Sequence, residues 1–141
     1  MGPSGGLTVT MMSATGEFTI ASWNEETYQE LEGEAKLTRA SVEQEVSGDL
    51  TGTGSVEWLM CYRADGSARF VGLQRFEGAI EERTGSFLVD SIGDFADGEA
   101  KGSWAVVVGS GTGDFAEIRG HGNFTAPMGG TPSWSMELLF E

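Results

Sequence analysis

The stretch "YRADGSARF", Tyr62 to Phe70, constrains the fold of this chain more than any other. Its Asp65-Gly66 pair lies between "VEWLM" and "VGLQRF", two runs rich in β-branched and aromatic residues, and that combination signals a β-hairpin. Two turns compete for it. A two-residue loop pairs Ala64 with Ser67 and mixes Trp58, Met60 and Tyr62 with Arg69, Arg75 and Glu77 on one face. A three-residue loop, Ala64-Asp65-Gly66, is a type I turn with glycine in the left-handed position. It pairs Arg63 with Ser67 and puts Val56, Trp58, Met60, Tyr62, Phe70, Gly72, Gln74 and Phe76 on one face. Every charged residue then falls on the other, with Leu59, Cys61, Val71 and Leu73. A one-residue slip exchanges the faces, so charge segregation selects the three-residue loop.

The same alternation recurs along the chain. Phe18 and Ile20 share a parity, as do Val42, Gln44 and Val46, then Phe87 and Val89. Trp104, Val106 and Val108 form another set, as do Ile118 and Phe124, and then Trp134, Met136, Leu138 and Phe140. Eight strands follow, at roughly 15–23, 36–47, 54–63, 67–77, 84–92, 99–108, 117–126 and 133–140. The one long connection is "NEETYQELEGE", 24–34, read as a polar loop with room for a helical turn. No segment sustains a 3.6-residue period. Short connections give an antiparallel meander. The expected fold is all-β, an eight-stranded up-and-down antiparallel barrel, because closure removes exposed strand edges. A sandwich is the alternative. The barrel spans 14–141, after a flexible leader at 1–13.

Glycine is abundant, 22 of 141 residues, which points to many tight strand connections. Asp and Glu number 22 against 8 Lys and Arg, a formal charge of −14. Nucleic acid and anionic membrane surfaces need basic patches, so neither is an expected partner. Cys61 is the only cysteine, no signal peptide is evident, and no apolar run reaches membrane-spanning length. A cytoplasmic location is expected.

Nearly all of the chain resembles a known group. "KLTRASVEQEVSGDLTGTGSVEWLMCYRADGSARFVGLQRFEGAI…RTGSF" followed by "GSGTGDFAEIRGHGNF" resembles a family of small bacterial proteins of unknown function. That family shares a barrel class with allene oxide cyclases and, more distantly, dirigent proteins. The resemblance covers about 14–140. It implies an eight-stranded barrel with a central cavity, commonly oligomeric, and no established reaction. No functional residue of the cyclases aligns here.

Most catalytic chemistry is missing. His121 is the only histidine and reads as outward, so a nucleophile–histidine relay has one weak candidate. One His and one Cys cannot build a zinc site, and neither a metal nor a cofactor is expected. "GSGTGD", 109–114, leads into a strand rather than a helix and carries an acid. That argues against phosphate binding and for a flexible loop or a lid at a barrel mouth.

The remaining candidates line the interior. The leading reading is a lumen that encloses a small, largely apolar molecule and guides an isomerisation or cyclisation by shape. Tyr62 would orient or polarise one oxygen of that molecule, with Gln74 as a second hydrogen-bond partner to it. Gln44, Trp58, Met60, Phe70, Phe76, Trp104, Trp134 and Met136 would contact the ligand. The alternatives are a non-catalytic carrier or sensor, and a structural barrel with a filled core. The outward stripe Leu59–Val71–Leu73, rimmed by charge, suggests a homo-oligomer, a dimer in its simplest form.

Overall fold

In a computed structural model, residues 9–141 are described. The chain is an antiparallel all-β sheet of nine strands: β1 (Thr10–Glu30), β2 (Lys36–Gly48), β3 (Thr51–Tyr62), β4 (Ala68–Ile80), β5 (Arg83–Ala96), β6 (Glu99–Val106), β7 (Thr112–Gly113), β8 (Arg119–Pro127) and β9 (Ser133–Phe140). A single 3-10 turn spans Glu32–Glu34, and no α-helix occurs among the described residues. No helix there is long and apolar enough to cross a membrane. The pairings run β4-β3-β2-β1-β9-β8-β6-β5, and β5 then pairs β4, so eight strands form a closed ring.

The central hairpin has the register that charge segregation selects. Tyr62 faces Ala68, Trp58 faces Gly72, and the Arg63 amide donates to the Ser67 carbonyl at 2.8 Å. Gly66 sits at φ 89°, and the Asp65 carboxylate accepts from the Ser67 amide and hydroxyl. Val56, Trp58, Met60, Phe70, Gln74 and Phe76 are buried, whereas Leu59, Val71 and Leu73 are exposed.

Three expectations about the strands change. β1 does not end near residue 23: the polar segment 24–34 continues the strand to Glu30, paired with β2 from Asn24↔Ser41 to Glu30↔Lys36. At the other end, Thr10–Ser13, placed in the leader by the sequence reading, pair with β9 from Thr10↔Phe140 to Ser13↔Glu137; 1–8 lie outside the described residues. The "GSGTGD" segment is neither a free loop nor a lid. Its Thr112-Gly113 pairs with Ser86-Gly85 of β5, at the opposite end of β5 from the residues paired with β6. Ser110 and Thr112 hydroxyls accept from the Leu88 and Ser86 amides.

A register shift between Ile20 and Ser22 has a larger consequence. The extra residue of a bulge reverses side-chain parity beyond it. Before it the inward position is Phe18. After it, Trp23 pairs with Val42, Glu25 with Ala40 and Thr27 with Thr38, and all three partners are buried on the inner face. Ile20, at the shift, is exposed. Val108 is also exposed, because β6 ends at Val106.

The glycines fill a role that turn-counting missed. An inward row runs Ala40–Trp58–Gly72–Ser91–Trp104–Gly122–Met136–Ala14 around the ring, each residue opposite the next. Each large residue of the row has a small one on both sides. A Cβ on Gly72 would lie 2.6 Å from Trp58 Cδ1, and one on Gly122 would lie 2.7 Å from Met136 Cγ. Glycine within these strands makes room for the neighbouring side chain, which lets bulky groups interdigitate inside a narrow ring.

Candidate functional site

The interior is filled unequally. Toward the β7 end, Phe76, Phe87, Phe115, Ile80, Ile118, Val89 and Leu138 are almost fully buried. Their rings interlock, with Phe76–Phe87, Phe87–Phe115 and Phe76–Trp104 centroids 5.1–5.5 Å apart. Within this half the Gln74 Nε2 amide donates to Gln44 Oε1 at 2.6 Å.

Toward the Tyr62 end the ring holds an apolar cavity of about 290 Å³. Trp58, Phe70 and Phe124 form its base, with centroid separations of 5.2–6.3 Å. Phe18, Ile20, Trp23, Met60, Phe95 and Pro132 contribute to its wall, and Ala100 and Ala126 keep one side low. Trp23 leans on Trp58 at 5.8 Å. The aromatic walls follow from strand parity on β3, β4 and β8. The place of Trp23 follows from the bulge.

Tyr62 is where this cavity meets a polar groove that also includes Glu25, Thr38 and Lys36. Three donors converge on the Glu25 carboxylate. The Tyr62 hydroxyl and the Thr38 hydroxyl donate to Oε2 at 2.7 and 2.6 Å, and Trp23 Nε1 donates to Oε1 at 2.9 Å. Lys36 Nζ lies 5.2 Å from the Tyr62 ring centroid. Partial burial works against ionisation of Glu25. The hydrogen bonds from Thr38, Tyr62 and Trp23, with the Lys36 charge, outweigh it and hold this carboxyl below its ordinary range. The Tyr62 phenol is pushed the other way, by desolvation first and then by its bond to Glu25 and that group's charge. Tyr62 therefore keeps its proton, and Glu25 is an ionised acceptor.

Of the residues singled out in the sequence, Tyr62, Trp58, Met60 and Phe70 come together at the cavity. Gln74 does not join Tyr62. Tyr62 is opposite Ala68 and Gln74 is opposite Val56. Six residues of strand therefore separate the two, roughly 20 Å at the usual rise. Gln74 instead donates from Nε2 to Gln44 in the filled half, and its own Oε1 is buried there without a partner. Phe76, Trp104, Trp134 and Met136 are buried core and not part of the cavity lining. Parity identifies the inner side of a strand but not how full the space behind it is. Glu25 escaped the sequence reading because it sits in what looks like a polar loop, and Trp23 because it falls out of phase with Phe18 and Ile20 until the register shift is known. The signal that could have found them is the Trp23–Glu25–Thr27 alternation, apolar or hydrogen-bonding at every second position. His121 and Cys61 are exposed on the outer face, and among the described residues no cluster of His, Cys, Asp or Glu could hold a metal ion.

No curated protein matches the chain. A solved structure from Shewanella oneidensis MR-1, described as a protein with unknown function from the DUF3224 family, is similar: 25% identical, TM-score 0.79, covering 94% of this chain and 99% of that one. The family described as "Protein of unknown function (DUF3224)" matches residues 14–138, so the chain belongs to it.

Proposed function

We propose that this protein is a binding module that holds a small, largely apolar molecule in the cavity at the Tyr62 end. The observation behind this reading is the unequal filling of the interior. Protein cores pack to crystal-like density, and in the β7 half buried rings interlock, yet about 290 Å³ stays open among aromatic walls at the other end. A mostly apolar cavity with a few polar groups at one point is the usual form of a small-molecule site. The ring of eight strands supports the finer architecture, an up-and-down barrel of the allene oxide cyclase-like class around one lumen. Binding is preferred to isomerisation or cyclisation because Tyr62 and Gln74, the pair such chemistry would have used, lie in different halves. Calorimetric titration with naphthalene, an apolar probe without a polar end, tests this. Saturable binding that Ala126→Phe abolishes, with the fold intact by circular dichroism, is the expected result. Absence of saturable heat would overturn it.

We also propose that a second copy covers the outer face of β3–β5. Leu59, Val71 and Ile92 lie opposite one another across three strands, with Leu73 beside them, and all four are exposed. Four of the eight basic residues, Arg39, Arg69, Arg75 and Lys101, surround this row. They are paired with Glu57, Asp94, Glu77 and Glu99. On a chain of charge −14, this charge-balanced apolar face is where two copies repel each other least.

A further inference from the structure

We infer that the ring has an internal water-binding site at its middle, between the cavity floor and the filled half, built by Trp58, Ser91, Trp104 and Gln74. The site goes beyond the binding reading above and does not depend on it. Four buried side-chain atoms have no hydrogen-bonding partner among the described residues: Trp58 Nε1, Ser91 Oγ, Trp104 Nε1 and Gln74 Oε1. Buried polar atoms are nearly always partnered, by protein or by ordered water. Four orphans that share one place in the fold call for one account.

The strand register brings them together. Trp58 is opposite Gly72, Gly72 opposite Ser91, and Ser91 opposite Trp104, on the inner faces of β3 to β6. Gln74 is the next inward residue of β4 after Gly72. Both indoles lean over the two small residues between them. Trp58 Cδ1, the ring atom bonded to Nε1, is 2.6 Å from where a Cβ on Gly72 would stand, so its pyrrole edge overhangs Gly72. Trp104 reaches from β6 across β5 to β4, where its ring centroid is 5.1 Å from that of Phe76. It therefore lies over the inner face of β5 that carries Ser91. Facing Cβ positions on neighbouring strands are about 4.5–5.5 Å apart, and the four atoms make no direct bond with one another. That leaves a span of the kind one water bridges.

Donors and acceptors together select the occupant. The two indoles and the Ser91 hydroxyl each have a proton to give, the hydroxyl can also accept, and Gln74 Oε1 can only accept. The Gln74 amide nitrogen turns away from this layer, to Gln44 Oε1 on the β2 side. The other two tryptophans differ: Trp23 and Trp134 give their indole protons to Glu25 and to the Glu17 carbonyl. A halide or a carbonyl group would accept from the indoles but face Gln74 Oε1 with lone pairs, and a halide would also be buried in a chain of charge −14. A cation would meet the indole protons. Water brings two lone pairs and two protons. It accepts from both indoles and donates to Gln74 Oε1 and Ser91 Oγ, four bonds, the upper end for a buried water. Only the Ser91 proton is left over. Trp58 thus has two roles: its ring floors the cavity while its buried N–H holds the water.

The test is water–protein cross-relaxation by NMR on the intact isotope-labelled chain, read at the indole N–H signals and assigned with Trp58→Phe and Trp104→Phe. Both indole protons should show cross-peaks to water, of opposite sign in NOESY and ROESY spectra, the mark of a water held longer than the molecule takes to tumble. Ser91→Ala removes the exchangeable hydroxyl but leaves the water three partners, the usual number, so both cross-peaks should persist. The inference is overturned if neither indole shows a cross-peak and their protons are instead shifted upfield by a ring face, an N–H···π contact. A cross-peak at one indole alone overturns the shared site. Cross-peaks that vanish in a folded Ser91→Ala variant assign them to exchange through the hydroxyl, and overturn it too. Crystallographic density for the wild type gives a check free of any substitution: a water within hydrogen-bonding reach of both Nε1 atoms is expected, and its absence overturns the site.

Discussion

The Phe124 ring occupies the space beside Gly102: the three atoms nearest to where a Cβ on Gly102 would stand all belong to that ring. The two residues are cross-strand partners on β6 and β8. Gly102→Ala should therefore destabilise the protein by about 1–3 kcal/mol, the common range for forcing an extra methyl into a packed core. The clash is with a side chain, so trimming that side chain should relieve it. Urea unfolding of Gly102→Ala, Phe124→Leu and the double variant should show a double mutant more stable than the sum of the two losses predicts. Gly93→Ala provides the contrast. Its nearest neighbour would be the Lys101 backbone carbonyl, and no partner truncation should rescue it.

The buried amide pair yields a second expectation. Gln74→Leu leaves Gln44 without its donor in a dry setting, which should cost about 1–3 kcal/mol. Gln44→Leu combined with Gln74→Leu removes both polar groups, and its midpoint in urea should recover toward that of the wild type. Additive losses in the double variant would show that the pair is not the unit that matters.

Glu25 gives a dependence on pH. Its folded value lies below the ordinary 4.5. A carboxyl with a depressed folded value contributes stability that is fully present above its unfolded value and is lost as pH falls through the folded one. Wild type should therefore lose stability more steeply than Glu25→Gln as pH falls below about 4.5, with the two curves parallel at higher pH. Denaturant midpoints measured across that range decide it.

For the outer face, Val71→Glu puts a charge at the centre of the Leu59–Val71–Ile92 row. It should weaken a dimer about tenfold or more, which corresponds to 1.4 kcal/mol, while leaving a folded monomer. Light scattering at micromolar concentration should give a dimer mass for the wild type. A monomer mass for the wild type would rule the interface out.

How legible the molecule was depends on where the physical signal is redundant. In the Tyr62–Phe70 hairpin, turn chemistry, apolar alternation and charge segregation agree, and the register follows from them. Near Ala21 they disagree. A bulge has no residue signature of its own there, and it reverses the parity of Trp23 and of the strand that runs on through the apparent loop "NEETYQE", so that Trp23 reaches the cavity and Glu25 the groove beside it, both still partly open to solvent. Parity also could not separate Phe70, at the cavity, from Phe76, in the filled half, because both point inward. Their cross-strand neighbours differ, Gly93 opposite Phe70 and Phe87 opposite Phe76, and those pairings are fixed only by the register of β4 on β5.

The ring is closed by its first and last strands. Ser13 Oγ donates to Glu137 Oε2 across 124 positions of sequence, and Thr10 faces Phe140. During synthesis β1 to β8 emerge with this seam open, so both the β1 and β8 edges remain unpaired until β9 leaves the ribosome. Distant pairings of this kind come late, because the chain must close a long loop before they return any stability. Completion of the fold is thus tied to the final few residues of β9. Truncation within them should leave a chain with two sticky edges, prone to aggregation, rather than a slightly shorter native protein.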